Sequence, residues 1–175
     1  MNVYKCRETA EIPTYGTLGS ACFDVKACLE SVPGIPTREI PARERIKSYD
    51  AWNKQIPLAV KNGKIVIQPM QRALIPTGLI FDIPDGYCIE MYIRSSVATK
   101  KGLHLVNGVG IIDSDYVEET HIIVINVSDS LVTVEHGERL AQCKLTKVIT
   151  SEFVEITEKP VQKTDRDGGI GSTGV

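Results

Sequence analysis

Hydrophobic and polar positions alternate in short runs, and the runs are broken by Gly, Pro, Asn and Asp. Such a period of two, bounded by turn residues, predicts strands and not helices. Seven segments stand out: 64–68 (KIVIQ), 72–75 (RALI), 78–83 (GLIFDI), 87–93 (YCIEMYI), 121–127 (HIIVINV), 131–135 (LVTVE) and 139–148 (RLAQCKLTKV). In the fourth, Tyr87, Ile89, Met91 and Ile93 fall on one face, with Cys88, Glu90 and Tyr92 on the other. The preceding Ile83-Pro-Asp-Gly86 reads as a turn feeding that strand. Two stretches suit a helix: 95–101 (SSVATKK), with a hydroxyl cap in front and Gly102 behind, and 43–54 (RERIKSYDAWNK). Many short strands with few helices predict an all-β sandwich or jelly roll.

From Ser31 to Lys64 the pattern changes. The stretch is rich in Pro, its seven Lys and Arg outnumber three acids, and it holds Trp52. It reads as an excursion from the β-core. The C-terminal GGIGSTG at 168–174 places four glycines within seven residues, which suits a flexible arm and not a strand.

At 175 residues and 42% hydrophobic content, one domain with its own core is expected. A net charge of −2 gives no overall attraction for nucleic acid. No apolar stretch reaches membrane-spanning length, and the first residues lack the apolar core of a signal peptide. Five cysteines without a C-x-x-C pair suit free thiols in a reducing, cytoplasmic compartment better than disulfides or zinc.

Four clusters carry candidate chemistry. Asp113-Ser-Asp115-Tyr116 follows a glycine-punctuated apolar stretch from Asn107. It reads either as a hairpin turn or as a carboxylate fixed at a strand end, able to hold and deprotonate a water. Arg94-Ser95-Ser96 offers a guanidinium, hydroxyls and free N–H groups that suit a phosphate, or an ordinary helix start. Gly137 to Gln142 reads as a turn into a strand; alternation puts Arg139 and Gln142 on opposite faces, with an ion pair the expected role of Arg139. The glycine arm could wrap a polyphosphate with Arg166 or be a linker, and it lacks the ending of a Walker A loop.

Taken in order, five segments resemble the five motifs of the homotrimeric dUTPase family: Ser20-Ala-Cys-Phe-Asp24-Val, Arg94-Ser95-Ser96 with Lys101-Gly-Leu103, Asn107 to Tyr116, Gly137 to Gln142, and the terminal GGIGSTG. The resemblance implies a dUTPase-like distorted jelly roll over 1–163, with an atypical insertion at about 31–64 and an arm at 164–175 that closes over the site. It implies Mg²⁺-dependent hydrolysis of dUTP to dUMP and pyrophosphate, in a homotrimer whose subunits share sites. Asp113 would activate water at the α-phosphorus. Arg94, Ser95, Ser96 and Gln142 would hold phosphates. Asn107 with Gly110, Ile111 and Ile112 would read uracil, and Tyr116 would pack against deoxyribose. Asp24 would reach Mg²⁺ through water, while Arg166, Ile170, Gly171 and Ser172 would cover the nucleotide.

Some positions depart from the family pattern. Ser96 and Glu118 stand where glycines are usual, and Ile170 stands where an aromatic usually stacks on the base. Tyr49 and Trp52 are candidates to supply that ring. A dCTP deaminase on the related fold is the nearest alternative, but its catalytic glutamate would fall on Ile123, which cannot transfer a proton. The other alternative is a non-catalytic regulator built on the same fold.

Overall fold

The structure, a computed structural model, describes residues 1–29, 46–165 and 168. Among them are fourteen strands: β1 (Asn2–Lys5), β2 (Thr14–Tyr15), β3 (Phe23–Lys26), β4 (Ile46–Tyr49), β5 (Gln55–Leu58), β6 (Lys64–Ile67), β7 (Arg72–Pro76), β8 (Leu79–Asp82), β9 (Tyr87–Ile93), β10 (Leu103–Leu105), β11 (Gly110–Ile112), β12 (His121–Asn126), β13 (Val132–Glu135) and β14 (Arg139–Lys147). One helix, α1 (Ser95–Lys101), lies between β9 and β10.

Two five-stranded sheets, ordered β10-β12-β7-β4-β5 and β11-β9-β14-β3-β2, are accompanied by two two-stranded sheets, β1-β8 and β13-β6. Every pairing is antiparallel. The strands bury alternate residues, as a period of two requires. Phe23 and Val25 of β3, Ile89 and Met91 of β9, and Ala141 and Cys143 of β14 join Ala73 and Ile75 of β7 with Ile122 and Val124 of β12 in one core. This is the all-β jelly-roll type of architecture that the alternation predicts.

The seven strands read from the pattern are all present, with each end matched to within one residue. The helix expected at 43–54 is not. Its described part, from residue 46, is the hairpin β4–β5, inserted in a sheet edge against β7. Ile46 and Ser48 are buried while Lys47 is exposed, a period of two hidden by polar residue types. Ser48 is buried because its hydroxyl donates to the Ile56 carbonyl at 2.6 Å and accepts from Gln71 Nε2 at 3.1 Å. Pairing with β7 outweighs the weak helical preference of these residues.

Helix α1 forms where expected and ends at Gly102, whose φ of 66° lets it cap the last turn. Its start differs from expectation: Arg94 occupies the N-cap position without a side-chain cap, so no hydroxyl caps this helix. After β14 the chain from 149 to 165 is exposed and has neither strand nor helix.

Candidate active site

The segment from β10 to β11, whose two strands pair with β12 and β9 in different sheets, borders a cleft of about 250 Å³. Asn107, Gly110, Ile111, Ile112, Asp113 and Tyr116 line it, above a floor that includes Leu74, Met91 and Ile123. The turn depends on Gly108, with φ of 69°. Gly110 lets the backbone approach β9, since a Cβ there would sit 3.3 Å from Met91 Cβ. β11 is held in register by Gly110 opposite Met91 and Ile112 opposite Ile89. Asp113 therefore leaves a strand end at the cleft rim, exposed to solvent. The Asp113 carbonyl accepts the Tyr116 N–H at 3.2 Å, which turns the Tyr116 ring back into the cleft wall. Burial, then the charges of Glu118 and Glu119, push the Tyr116 phenol pKa up, so it stays a neutral donor. Its O–H donates to the Glu119 carbonyl at 3.1 Å.

Cleft size limits what it can hold. Pockets for drug-sized ligands run about 300–1,000 Å³, so this one suits a base and its sugar and not a whole triphosphate. The wall combines an amide side chain, main-chain edges of a strand end and an aromatic ring, which fits a planar heterocycle with fixed donors and acceptors. Ile123, where a deaminase would need its glutamate, belongs to the apolar floor. Neither Tyr49 nor Trp52 lines the cleft; Trp52 lies exposed in the β4–β5 turn.

A second group gathers around Asp24 of β3. Its Oδ1 lies 3.0 Å from Arg94 Nε, and its Oδ2 lies 3.0 Å from Arg139 Nη1. Gln142 stands directly across from Asp24 in the pairing of β14 with β3. Arg94 is drawn to β14 by its own N–H, which donates to the Leu140 carbonyl at 3.0 Å, and Ser95 and Ser96 follow it, exposed, at the start of α1. Asp24, Arg94 and Gln142 thus come together, and the ion pair expected of Arg139 is made with Asp24. The expectation that Arg139 and Gln142 face opposite ways is overturned. The register shifts between Arg139 and Ala141, and Leu140 and Ala141 are both buried, so a bulge places both polar side chains on the Asp24 side.

None of this second group lines the cleft. β3 and β11 are three strand steps apart in their sheet, roughly 14 Å at about 4.8 Å per step. Arg166, Ile170, Gly171 and Ser172 lie outside the described residues. Among the described residues no set of three or more His, Cys, Asp or Glu side chains is placed to hold a metal ion. Among the same residues no helix is long and apolar enough to cross a membrane.

The family model for dUTPase matches residues 59–174. The deoxyuridine 5'-triphosphate nucleotidohydrolase of Hydrogenobaculum sp. is 35% identical over 174 residues, covering 99% of this chain and 96% of that protein. The enzyme of the same name from Bdellovibrio bacteriovorus is 38% identical over 165 residues, covering 94% and 88%. Among solved structures, Staphylococcus bacteriophage 80alpha dUTPase with dUPNHPP superposes with a TM-score of 0.71 at 20% identity, over 99% of this chain and 98% of that one, a likeness of fold. The match along two thirds of the chain, with relatives above 30% identity across nearly all of it, makes this chain a member of the dUTPase family.

Proposed function

We propose that the protein hydrolyses dUTP to dUMP and pyrophosphate, with the base and sugar held in the cleft and the phosphates on the Asp24 group. The carrying observation is the position of Asp113, at the rim of a base-sized cleft walled by Asn107, Gly110, Ile111, Ile112 and Tyr116. A water held by that carboxylate lies beside the α-phosphorus of a nucleotide whose sugar packs on Tyr116. Asp113 takes the water's proton as the oxygen attacks, and pyrophosphate leaves. Uracil selectivity follows because a buried hydrogen-bonding edge left unmatched by another base carries a large penalty.

Arg94, Ser95, Ser96 and Gln142 would hold phosphate oxygens. The two arginines, both paired to one carboxylate, keep a fixed orientation and so stabilise developing charge without reorganising. Mg²⁺ fits this donor set in one manner. Asp24 is committed to two guanidiniums, so it would touch the ion through water, while the triphosphate supplies direct oxygens. When bound, the ion neutralises phosphate charge.

β3, which carries Asp24, lies three strand steps from β11 at the cleft, so Asp24 and the cleft stand apart on one chain. That separation supports a homotrimer in which the cleft of one subunit faces the Asp24 group of another. The exposed segment after β14 supports it too: Ile149, Phe153, Val154, Ile156 and Val161 leave large apolar side chains in water on the single chain. The body 1–163, with its insertion at about 31–64, would carry these groups. The arm 164–175, through Arg166, Ile170, Gly171 and Ser172, would close over the nucleotide and exclude water. Five free cysteines suit a cytoplasmic location.

The test is pyrophosphate release from a panel of dNTPs and rNTPs that includes dUTP, with and without Mg²⁺. Turnover confined to dUTP and dependent on Mg²⁺ is expected. Ammonia release from dCTP, or binding of dUTP without turnover, would overturn the reading in favour of a deaminase or a regulator.

A further inference from the structure

The N-terminal segment reaches the cleft through a contact that the proposed reaction leaves unused. Arg7, just beyond β1, makes a two-pronged ion pair with Glu119: Nε lies 2.7 Å from Oε1 and Nη2 lies 2.9 Å from Oε2. Both side chains are largely buried, at 22% and 18% exposure. The same Oε1 accepts the Gly78 N–H at 2.8 Å, and the Gly78 carbonyl accepts the Cys6 N–H at 2.9 Å. Three segments remote in sequence therefore close on one carboxylate. Gly78 permits the closure: its φ is +70°, and a Cβ there would meet Ala10 Cβ at 2.5 Å and Arg7 Cβ at 3.1 Å. Burial by itself would raise the Glu119 pKa. The Arg7 hydrogen bonds and charge, the Gly78 amide and His121 outweigh it and hold the carboxyl below the ordinary glutamate value.

What this carboxylate anchors is the main chain beneath the cleft wall. The Glu119 carbonyl accepts the Tyr116 O–H at 3.1 Å and lies 2.8 Å from His121 Nδ1; Tyr116 and His121 both line the cleft. The next residue is fixed on both sides. Thr120 N–H donates to the Leu79 carbonyl at 2.8 Å, and the Thr77 hydroxyl donates to the Thr120 carbonyl at 2.6 Å. The Tyr116 ring is thus tied at its phenol end to a carbonyl whose place is set by Arg7 and by the backbone at 77–79. Tyr116 lies in an exposed loop, and the bond from its phenol to the Glu119 carbonyl ties its side chain down.

We propose that Arg7 is a positioning residue for sugar selectivity: through Glu119 it fixes the Tyr116 ring against which a ribose 2′-hydroxyl would clash. This rests on the nucleotide reading of the cleft. A ring free to tilt makes room for the hydroxyl, whereas a fixed ring does not, so the clamp acts on the choice between dUTP and UTP more than on turnover. Lysine cannot reproduce the two-pronged contact, because it presents a single ammonium to two carboxylate oxygens.

The experiment compares kcat/KM for dUTP and UTP in wild type, Arg7→Gln, Arg7→Lys, Tyr116→Phe and the Arg7→Gln/Tyr116→Phe double variant, with thermal unfolding of each. The expected result for Arg7→Gln is a dUTP preference narrowed by about fivefold or more, a size common for residues coupled in one hydrogen-bond network. Arg7→Lys falls between it and wild type, and keeps the test open if the glutamine variant does not fold. The double variant matches Tyr116→Phe alone, because Arg7 acts through that ring. A selective wild type whose preference is unchanged in both Arg7 variants, with only the unfolding temperature lowered, overturns the role of Arg7 alone. Multiplicative effects in the double variant do the same. A wild type that does not prefer dUTP overturns the cleft reading along with it.

Discussion

Gln142 and Arg139 point to the same side of β14 although they are three residues apart. Gln142 lies opposite Asp24, and Arg139 Nη1 reaches Asp24 Oδ2 at 3.0 Å. The bulge at Leu140 and Ala141 makes this possible by burying two consecutive residues, which resets the alternation for everything before it. A strand end built in this way delivers two polar groups to one carboxylate where a regular strand delivers one.

Asp24→Asn is expected to leave the fold intact and to reduce kcat/KM for dUTP by about 10–100-fold, the usual effect of removing a group that orients ligands from behind. The amide cannot balance two guanidiniums, so Arg94 and Arg139 lose their shared anchor. The Mg²⁺ concentration giving half-maximal rate should rise as well. Unchanged kcat/KM and metal requirement would remove Asp24 from the site.

The body of the fold was legible wherever alternation was carried by apolar residues, as in β9 and β12. It was not legible in β4, where Lys47, Ser48 and Tyr49 form a strand because β7 pairs with it and the Ser48 hydroxyl finds buried partners. Short strands such as β2 and β11 carry too few residues for a period to show. In the site, Asp113, Asn107 and Tyr116 were readable because they fall in one continuous segment. Leu74 and Met91, which floor the same cleft, come from other strands and look like ordinary core residues. The Arg7 to Glu119 contact joins positions 112 residues apart, and a single sequence holds no sign of it. The bulge was hidden because it depends on register and not on composition.

The segment after β14 should be an interface. Phe153 is 98% exposed and Ile149 is 87% exposed on the single chain, and covering such a side chain is worth about 1.5–3 kcal/mol. Phe153→Ser with Ile156→Ser is expected to turn a trimer into smaller species at low micromolar concentration and to lower activity in parallel, with the far-ultraviolet spectrum kept. Light scattering and turnover across a dilution series decide it. A variant that stays trimeric and active means that these side chains are not buried between copies.

Acid should loosen the clamp beneath the cleft. Glu119 has its carboxyl held below the ordinary 4.5, despite burial that works the other way. A lowered folded value means that the ionised form contributes stability fully above the unfolded value and that this contribution fades as pH falls through the folded one. The window therefore lies below about pH 4.5. Glu119→Gln should be less stable than wild type at neutral pH, and the difference should shrink as the pH drops through that window. Chemical denaturation at a series of pH values measures it. A gap that stays constant into acid would show that the carboxylate charge contributes nothing to stability.

Asp113→Asn should keep the fold and the affinity for nucleotide while abolishing most turnover. The side chain is exposed at the end of β11, and its own backbone carbonyl makes the turn contact to Tyr116, so replacing the carboxylate by an amide removes no structural bond. What it removes is a base. An amide can still hold a water but cannot take its proton, and general-base contributions run about 10²–10⁴-fold. The loss should therefore appear in kcat, with the dissociation constant of a non-hydrolysable dUTP analogue nearly unchanged. Asp115→Asn is the matched control: it alters the same loop by the same chemistry two residues on, at a position that does not line the cleft, and should cost little. Equal losses in both variants would mean that the loop's overall charge matters and not a proton transfer at Asp113. Near-normal kcat in Asp113→Asn would move the water-activating role to another group.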